Sequence, residues 1–84
     1  MQSNIEDFKT GWYGISLGLK SDEIDQLIIA LQKLKNERSH FHLRSDFEGS
    51  GGIGDIELYY QTDEQPSNLA IESSSAIFAN EKPI

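Results

Sequence analysis

The chain has 84 residues, a formal net charge of −7 and no cysteine. This length suits one domain with a single hydrophobic core, and the absence of cysteine excludes disulfides and thiolate metal sites. No apolar run approaches the roughly 18 residues that a membrane span needs, and the first residues lack the pattern of a signal peptide. We therefore expect a cytoplasmic protein with no membrane contact. It should form a single domain over residues 1–84, with an ordered core over about 11–79 and frayed termini.

The negative charge is concentrated in the second half of the sequence. Up to His42, six acidic residues accompany five basic ones, whereas from Leu43 onward eight acidic residues accompany only two basic ones. Such a distribution repels nucleic acid and attracts basic proteins. It predicts a basic protein partner and no nucleic acid. An alternative interpretation is that the acidity only keeps a small protein in solution.

The first predicted elements are a strand and a helix. Large apolar residues alternate with smaller ones over residues 12–19, which is typical of a half-buried strand. Ser21 stands where a helix N-cap is expected, and acidic residues follow in the first turn. Apolar residues at helical spacing then predict an amphipathic helix over about residues 22–35. They are Ile24, Leu27, Ile28, Leu31 and Leu34.

Three further strands are predicted after the helix. Residues 40–47 and 55–60 alternate between apolar and polar side chains and are joined by a glycine-rich turn, which indicates a hairpin. A weaker strand is predicted near residues 68–73, and residues 76–78 could extend the core. A single helix covers only one face of a sheet, so we expect an α+β two-layer sandwich. Its four-stranded, mainly antiparallel sheet would follow the order strand-helix-strand-strand-strand.

The uncovered face of this sheet is the predicted binding surface. The apolar residues are odd-numbered in the first strand of the hairpin and even-numbered in the second. If both apolar rows lie on one face, the numbers of two residues paired across the strands must add up to an odd value. Sums of 101 and 103 fit the turn. Both registers place Asp46 opposite another acid, Asp55 or Glu57, which costs up to roughly 1 kcal/mol. We interpret this cost as a sign of function, although exposed acids are also tolerated because they are screened.

Six residues are therefore predicted to bind the partner. Four are carboxylates of the hairpin and its turn, and two are aromatic contacts. Trp12 is three residues before Ile15, so in a strand the two side chains point to opposite faces. If Ile15 faces the helix, Trp12 points away from it and remains available as a binding anchor. The set is Asp46, Glu48, Asp55, Glu57, Tyr59 and Trp12.

No catalytic, cofactor or metal site is predicted. Gly49, Gly51 and Gly54 match the dinucleotide-binding spacing, but a strand follows them instead of the helix that would hold a phosphate. His40 and His42 could bind a metal with an acid, yet no third ligand of defined geometry is apparent from the sequence. Without a nucleophile motif, we expect a protein that is not an enzyme.

Three segments, GWYGISLGL, SDEIDQLI and FHLRSDFEGSGGIGDIELYY, carry a resemblance to a known family. Together they resemble immunity protein 32, a family of small immunity proteins from bacterial polymorphic-toxin and contact-dependent growth inhibition systems. The resemblance spans about residues 11–71 and is most specific in GSGGIGDIE. It implies a cytosolic toxin inhibitor that binds and neutralises one cognate toxin domain, often a nuclease.

Two other classes of function remain open. An acidic adaptor or regulatory module would bind a basic protein or peptide along an exposed sheet edge. A small-ligand sensor would need a closed apolar pocket with a few convergent polar groups.

Overall fold

A computed structural model describes residues 1–45 and 48–72. These residues form one helix and two separate two-stranded antiparallel sheets, so the α+β class is confirmed. The elements, in chain order, are β1 (Gln2–Asp7), β2 (Tyr13–Gly18), α1 (Ser21–Glu37), β3 (His40–Arg44) and β4 (Asp55–Tyr59).

The first strand, β1, lies in a segment that was predicted to be frayed. It pairs with β2 so that Ile5 lies opposite Ile15. The connecting turn is closed by a hydrogen bond from the Phe8 N–H to the Trp12 carbonyl oxygen, at 3.1 Å. Gly11 adopts a φ of +94° there, a conformation that side chains other than glycine rarely take. The β1 sequence, QSNIED, contains a single apolar residue, so it has no alternation of apolar and polar residues that would predict a strand. The segment becomes a strand because it pairs with β2.

The predicted four-stranded sheet is wrong for the described residues. The strand predicted before the helix pairs with β1, and β3 pairs only with β4. No strand forms over residues 68–72, where Leu69 and Ile71 are 90% and 99% exposed. Residues 76–78 lie outside the described part of the chain. The physical reason is the entropy of loop closure. Two strands that are neighbours in sequence pair at low entropic cost, whereas a four-stranded sheet also requires pairing between strands that are distant in sequence.

The helix confirms the most regular pattern in the sequence, with a shift of one residue at its start. Lys20 is the N-cap, so Ser21 is the first helical residue and not the cap. The Lys20 N–H donates to Glu23 Oε1 at 2.9 Å, and the N-terminal ammonium group also contacts the Glu23 carboxylate. At the other end Arg38 adopts the left-handed conformation, with φ 52° and ψ 47°, and turns the chain into β3.

The helix packs against β3, but only part of its predicted apolar stripe is covered. Leu27, Ala30 and Leu34 are half-buried, whereas Ile24 and Ile28 are exposed. Leu31, expected at the centre of the stripe, is 41% exposed. Half-buried apolar residues of the second hairpin fall on a single face. They are Phe41, Leu43, Ile56 and Leu58. Because α1 contacts β3, we infer that this face is turned toward α1.

The described residues contain no fully buried side chain. A domain of this size normally removes most of its large apolar residues from water. Here the two hairpins and the helix leave much of that surface accessible. The same residues contain no helix with the length and apolarity needed to cross a bilayer.

Candidate functional site

The polar face of the β3–β4 hairpin has a different register from the two that were predicted. Arg44 lies opposite Asp55 and His42 lies opposite Glu57, so paired residue numbers sum to 99. The predicted facing of Asp46 with Asp55 or Glu57 is therefore wrong. The physical reason is visible at the end of the ladder, where an attractive Arg–Asp pair replaces a pair of like charges. The expected division into one apolar and one polar face is retained.

Asp55 is held by two neighbours on this face. Arg44 Nε donates to Asp55 Oδ1 at 3.1 Å, and His42 Nδ1 lies 3.0 and 3.1 Å from the two carboxylate oxygens. Partial desolvation raises the pKa of Asp55, but the hydrogen bonds from His42 and Arg44 outweigh it and leave the pKa below its ordinary value. Asp55 is therefore engaged within the hairpin, and a partner would have to compete with Arg44 for it.

His40, His42 and Glu57 form a compact group beside this network. The two imidazole rings meet edge to face, with centroids 5.3 Å apart and an interplanar angle of 87°. One potential ligand atom from each of the three side chains lies within 4.8 Å of the other two. The sequence suggests Asp46 as the acid that would accompany the two histidines, but Asp46 lies outside the described residues. Glu57 was missed as their companion because only the correct register places it opposite His42.

The remaining predicted binding residues are dispersed. Tyr59 shares the polar face and is 61% exposed, opposite His40. Glu48 is exposed in the turn between β3 and β4. Trp12 precedes β2 in the other sheet, where its side chain is 75% exposed. The predicted site therefore divides between two sheets, and its acidic part also contains Arg44 and two histidines.

A second surface, which sequence reasoning did not identify, lies on the β1–β2 hairpin. The register places Ile5, Tyr13, Ile15 and Leu17 on one face, with the polar residues Ser3 and Asp7 beside Leu17 and Tyr13 at its two ends, and we call this the apolar hairpin face. All four side chains are exposed, and Ile15 at the centre is 60% exposed. On the opposite face, the ring of Phe8 lies over Gly14, which lacks a Cβ that would obstruct it. Exposed apolar side chains grouped on one face are typical of a protein-interaction surface.

An open groove runs between the two hairpins. It has a volume of about 940 Å³ and is lined on one side by β1 residues and Leu17, and on the other by residues that include His42 and Ile56. Because the groove is open and mixed in polarity, it does not resemble the closed apolar pocket of a small-ligand sensor. Each sheet has only two strands, so every strand leaves one edge unpaired within the described residues.

Comparisons of the chain with protein-family models, curated proteins and solved structures gave no match.

Proposed function

We propose that this protein is a bacterial immunity protein that binds and neutralises a cognate basic toxin domain, without catalysis and without nucleic acid. The observation that carries the proposal is the exposed apolar hairpin face. A two-stranded hairpin is marginally stable in water by itself, and all four apolar side chains of this face remain exposed, although Ile5 and Leu17 also line the groove toward the second hairpin. A protein partner would bury it and stabilise the hairpin at the same time.

Charge supports a basic partner. The net charge of −7 lies mostly beyond His42, and Glu48 and Glu57 make no ion pair with other described residues. Glu48 is therefore available to a cationic protein surface and Glu57 to a cation at the polar face, whereas Asp55 is engaged by Arg44. A toxin that acts on nucleic acid carries such a surface where it binds phosphates, and an acidic inhibitor can occupy it. Association should then be fast and salt-sensitive.

Two surfaces contribute differently in this proposal. The apolar hairpin face, with Trp12 next to it in sequence, supplies the desolvated contact that determines how slowly the complex dissociates. The carboxylates of the second half steer the encounter and select a basic partner. Tyr59 serves as an aromatic contact on the polar face.

The experiment pairs this chain with the toxin domain encoded beside its gene, expressed inducibly in bacteria. We expect growth in the presence of this chain and arrest in its absence. Glu48→Lys should slow association at low salt, whereas Glu37→Lys, an equal charge change at the C-terminal end of the helix, should have little effect. Arrest despite expression of folded protein would contradict the proposal, as would a neighbouring gene that encodes no toxin.

A second candidate is an adaptor that binds a basic peptide along a sheet edge. It is favoured specifically by the strand edges that the described residues leave unpaired and by the groove between β1 and the β3–β4 hairpin. A peptide of alternating lysine and valine separates the candidates. An adaptor should bind it in isolation with induced strand signal in circular dichroism, whereas an immunity protein requires the folded toxin domain.

A further inference from the structure

The polar face of the β3–β4 hairpin brings together the side chains that bind transition metals. His40 and His42 alternate along β3 and so share a face, and Glu57 lies directly across from His42 on β4. Backbone hydrogen bonds join Ser45 to Gly54 and Tyr60 to Ser39 at the two ends of the ladder. Because bonded and non-bonded pairs alternate along an antiparallel ladder, His42 and Glu57 form a pair that exchanges no ladder hydrogen bonds. Side chains approach most closely at such positions in antiparallel sheets.

The spacing requires only side-chain rotation to close around an ion. The three potential ligand atoms lie within 4.8 Å of one another. A tetrahedral zinc ion with bonds of about 2.0–2.1 Å holds its ligand atoms roughly 3.4 Å apart. The difference of at most about 1.4 Å is within the reach of rotations of these side chains, since His40 and Glu57 are exposed and His42 is half-buried.

Asp55 orients His42 for this role. Both Asp55 carboxylate oxygens lie within 3.1 Å of His42 Nδ1, and Arg44 Nε donates to Oδ1 of the same carboxylate at 3.1 Å. An ionised carboxylate only accepts hydrogen bonds, so Nδ1 carries the proton and the lone pair lies on Nε2. Carboxylate support of this kind is the usual companion of a histidine that binds a metal.

The composition of the group selects the metal. Two imidazoles and one carboxylate suit zinc and its first-row neighbours, whereas calcium and magnesium prefer oxygen ligands throughout. Three protein ligands leave a fourth tetrahedral position for water or for a donor from a bound protein. We propose that His40, His42 and Glu57 bind one Zn²⁺ ion, with Asp55 positioning His42, and that the ion cross-links β3 to β4.

The test is a zinc titration of the untagged protein by calorimetry, with Co²⁺ absorption as a second readout. We expect one saturable zinc ion per chain and the absorption bands of tetrahedral Co²⁺. His40→Gln and Glu57→Gln should each weaken zinc binding by about tenfold or more, and Asp55→Asn by on the order of tenfold. Glu48→Gln, which removes a carboxylate of the same hairpin outside the group, should leave the affinity unchanged.

Two outcomes would overturn the proposal. One is the absence of saturable zinc binding by wild-type protein whose circular dichroism shows it to be folded. The other is zinc binding that the His40→Gln, Glu57→Gln and Asp55→Asn variants all retain at full strength, which would assign the zinc to scattered surface carboxylates. Should a variant fail to fold, the wild-type Co²⁺ spectrum and zinc-induced NMR shifts of the His40 and His42 ring protons decide the question. These readouts need no toxin, so their result is independent of the proposed function.

Discussion

Cross-linking by introduced cysteines tests the register of the β3–β4 hairpin, on which the proposed zinc group depends. The natural chain has no cysteine, so Arg44→Cys with Asp55→Cys introduces a single defined pair. These residues are paired at a position without ladder hydrogen bonds, where Cα atoms lie about 4.5 Å apart. Disulfides span Cα separations of about 4.4–6.8 Å, so the bond should form on mild oxidation without backbone movement.

The stabilisation follows from the size of the closed loop. Residues 44–55 enclose a loop of about a dozen residues, for which loss of unfolded-chain entropy predicts about 3 kcal/mol. Comparing oxidised with reduced protein cancels the loss of the Arg44–Asp55 ion pair, which is absent from both. Urea denaturation at the two redox states measures the difference directly.

A matched pair distinguishes this register from the one with a sum of 101. Arg44→Cys with Glu57→Cys places the sulfurs on diagonal neighbours, roughly 7–8 Å apart in the register described above. That disulfide should form slowly and stabilise little. If it formed readily while the Arg44–Asp55 pair did not, the register would be wrong, and His42 would no longer lie opposite Glu57.

Three further predictions concern stability. Leu31→Ala should cost about 1.5 kcal/mol in urea denaturation, because Leu31 is 41% exposed and leaves no enclosed cavity; a loss above about 3 kcal/mol would place it in a core. Gly11→Ala should cost about 1 kcal/mol through its φ of +94°, whereas Gly54→Ala, with open space and no positive φ, should not; equal effects would contradict this. Hydrogen bonds from the N-terminal ammonium group and the Lys20 N–H lower the pKa of Glu23 below its ordinary 4.5. This contribution is complete above pH 4.5 and is lost as pH falls through the lowered pKa, so Glu23→Gln should lower the thermal midpoint near neutrality but not in strong acid; a pH-independent difference would refute it.

Sequence reasoning succeeded where a pattern is local and regular. The helix, β2, β3 and β4 were all expected, because alternation and helical spacing report which face of an element is apolar. The start of the helix was shifted by one residue, since Ser21 is a favourable cap by residue type while Lys20 holds the position by its backbone and its bond to Glu23. Local patterns do not determine which of two adjacent residues takes the cap.

The errors lie where one segment depends on another. β1 has a single apolar residue and becomes a strand through pairing with β2. The predicted registers of β3–β4 satisfied the requirement that both apolar rows lie on one face, with paired residue numbers that add up to 101 or 103. The observed register, with a sum of 99, satisfies the same requirement and also pairs Arg44 with the oppositely charged Asp55. Consequently the association of Glu57 with His42 could not be deduced, nor could the exposed apolar hairpin face, which requires Ile5 beside Ile15.

The proposed function is tested most directly by the affinity of two aspartate variants for the cognate toxin domain. Ile15 and Ser16 are adjacent exposed residues of β2 that point to opposite faces of the first hairpin. Ile15→Asp should weaken toxin binding by about 2 kcal/mol or more in calorimetry, while Ser16→Asp should change it little. Both proteins should keep the circular dichroism of the wild type. Equal affinities for the two variants would contradict the assignment of the apolar hairpin face as the toxin-binding surface.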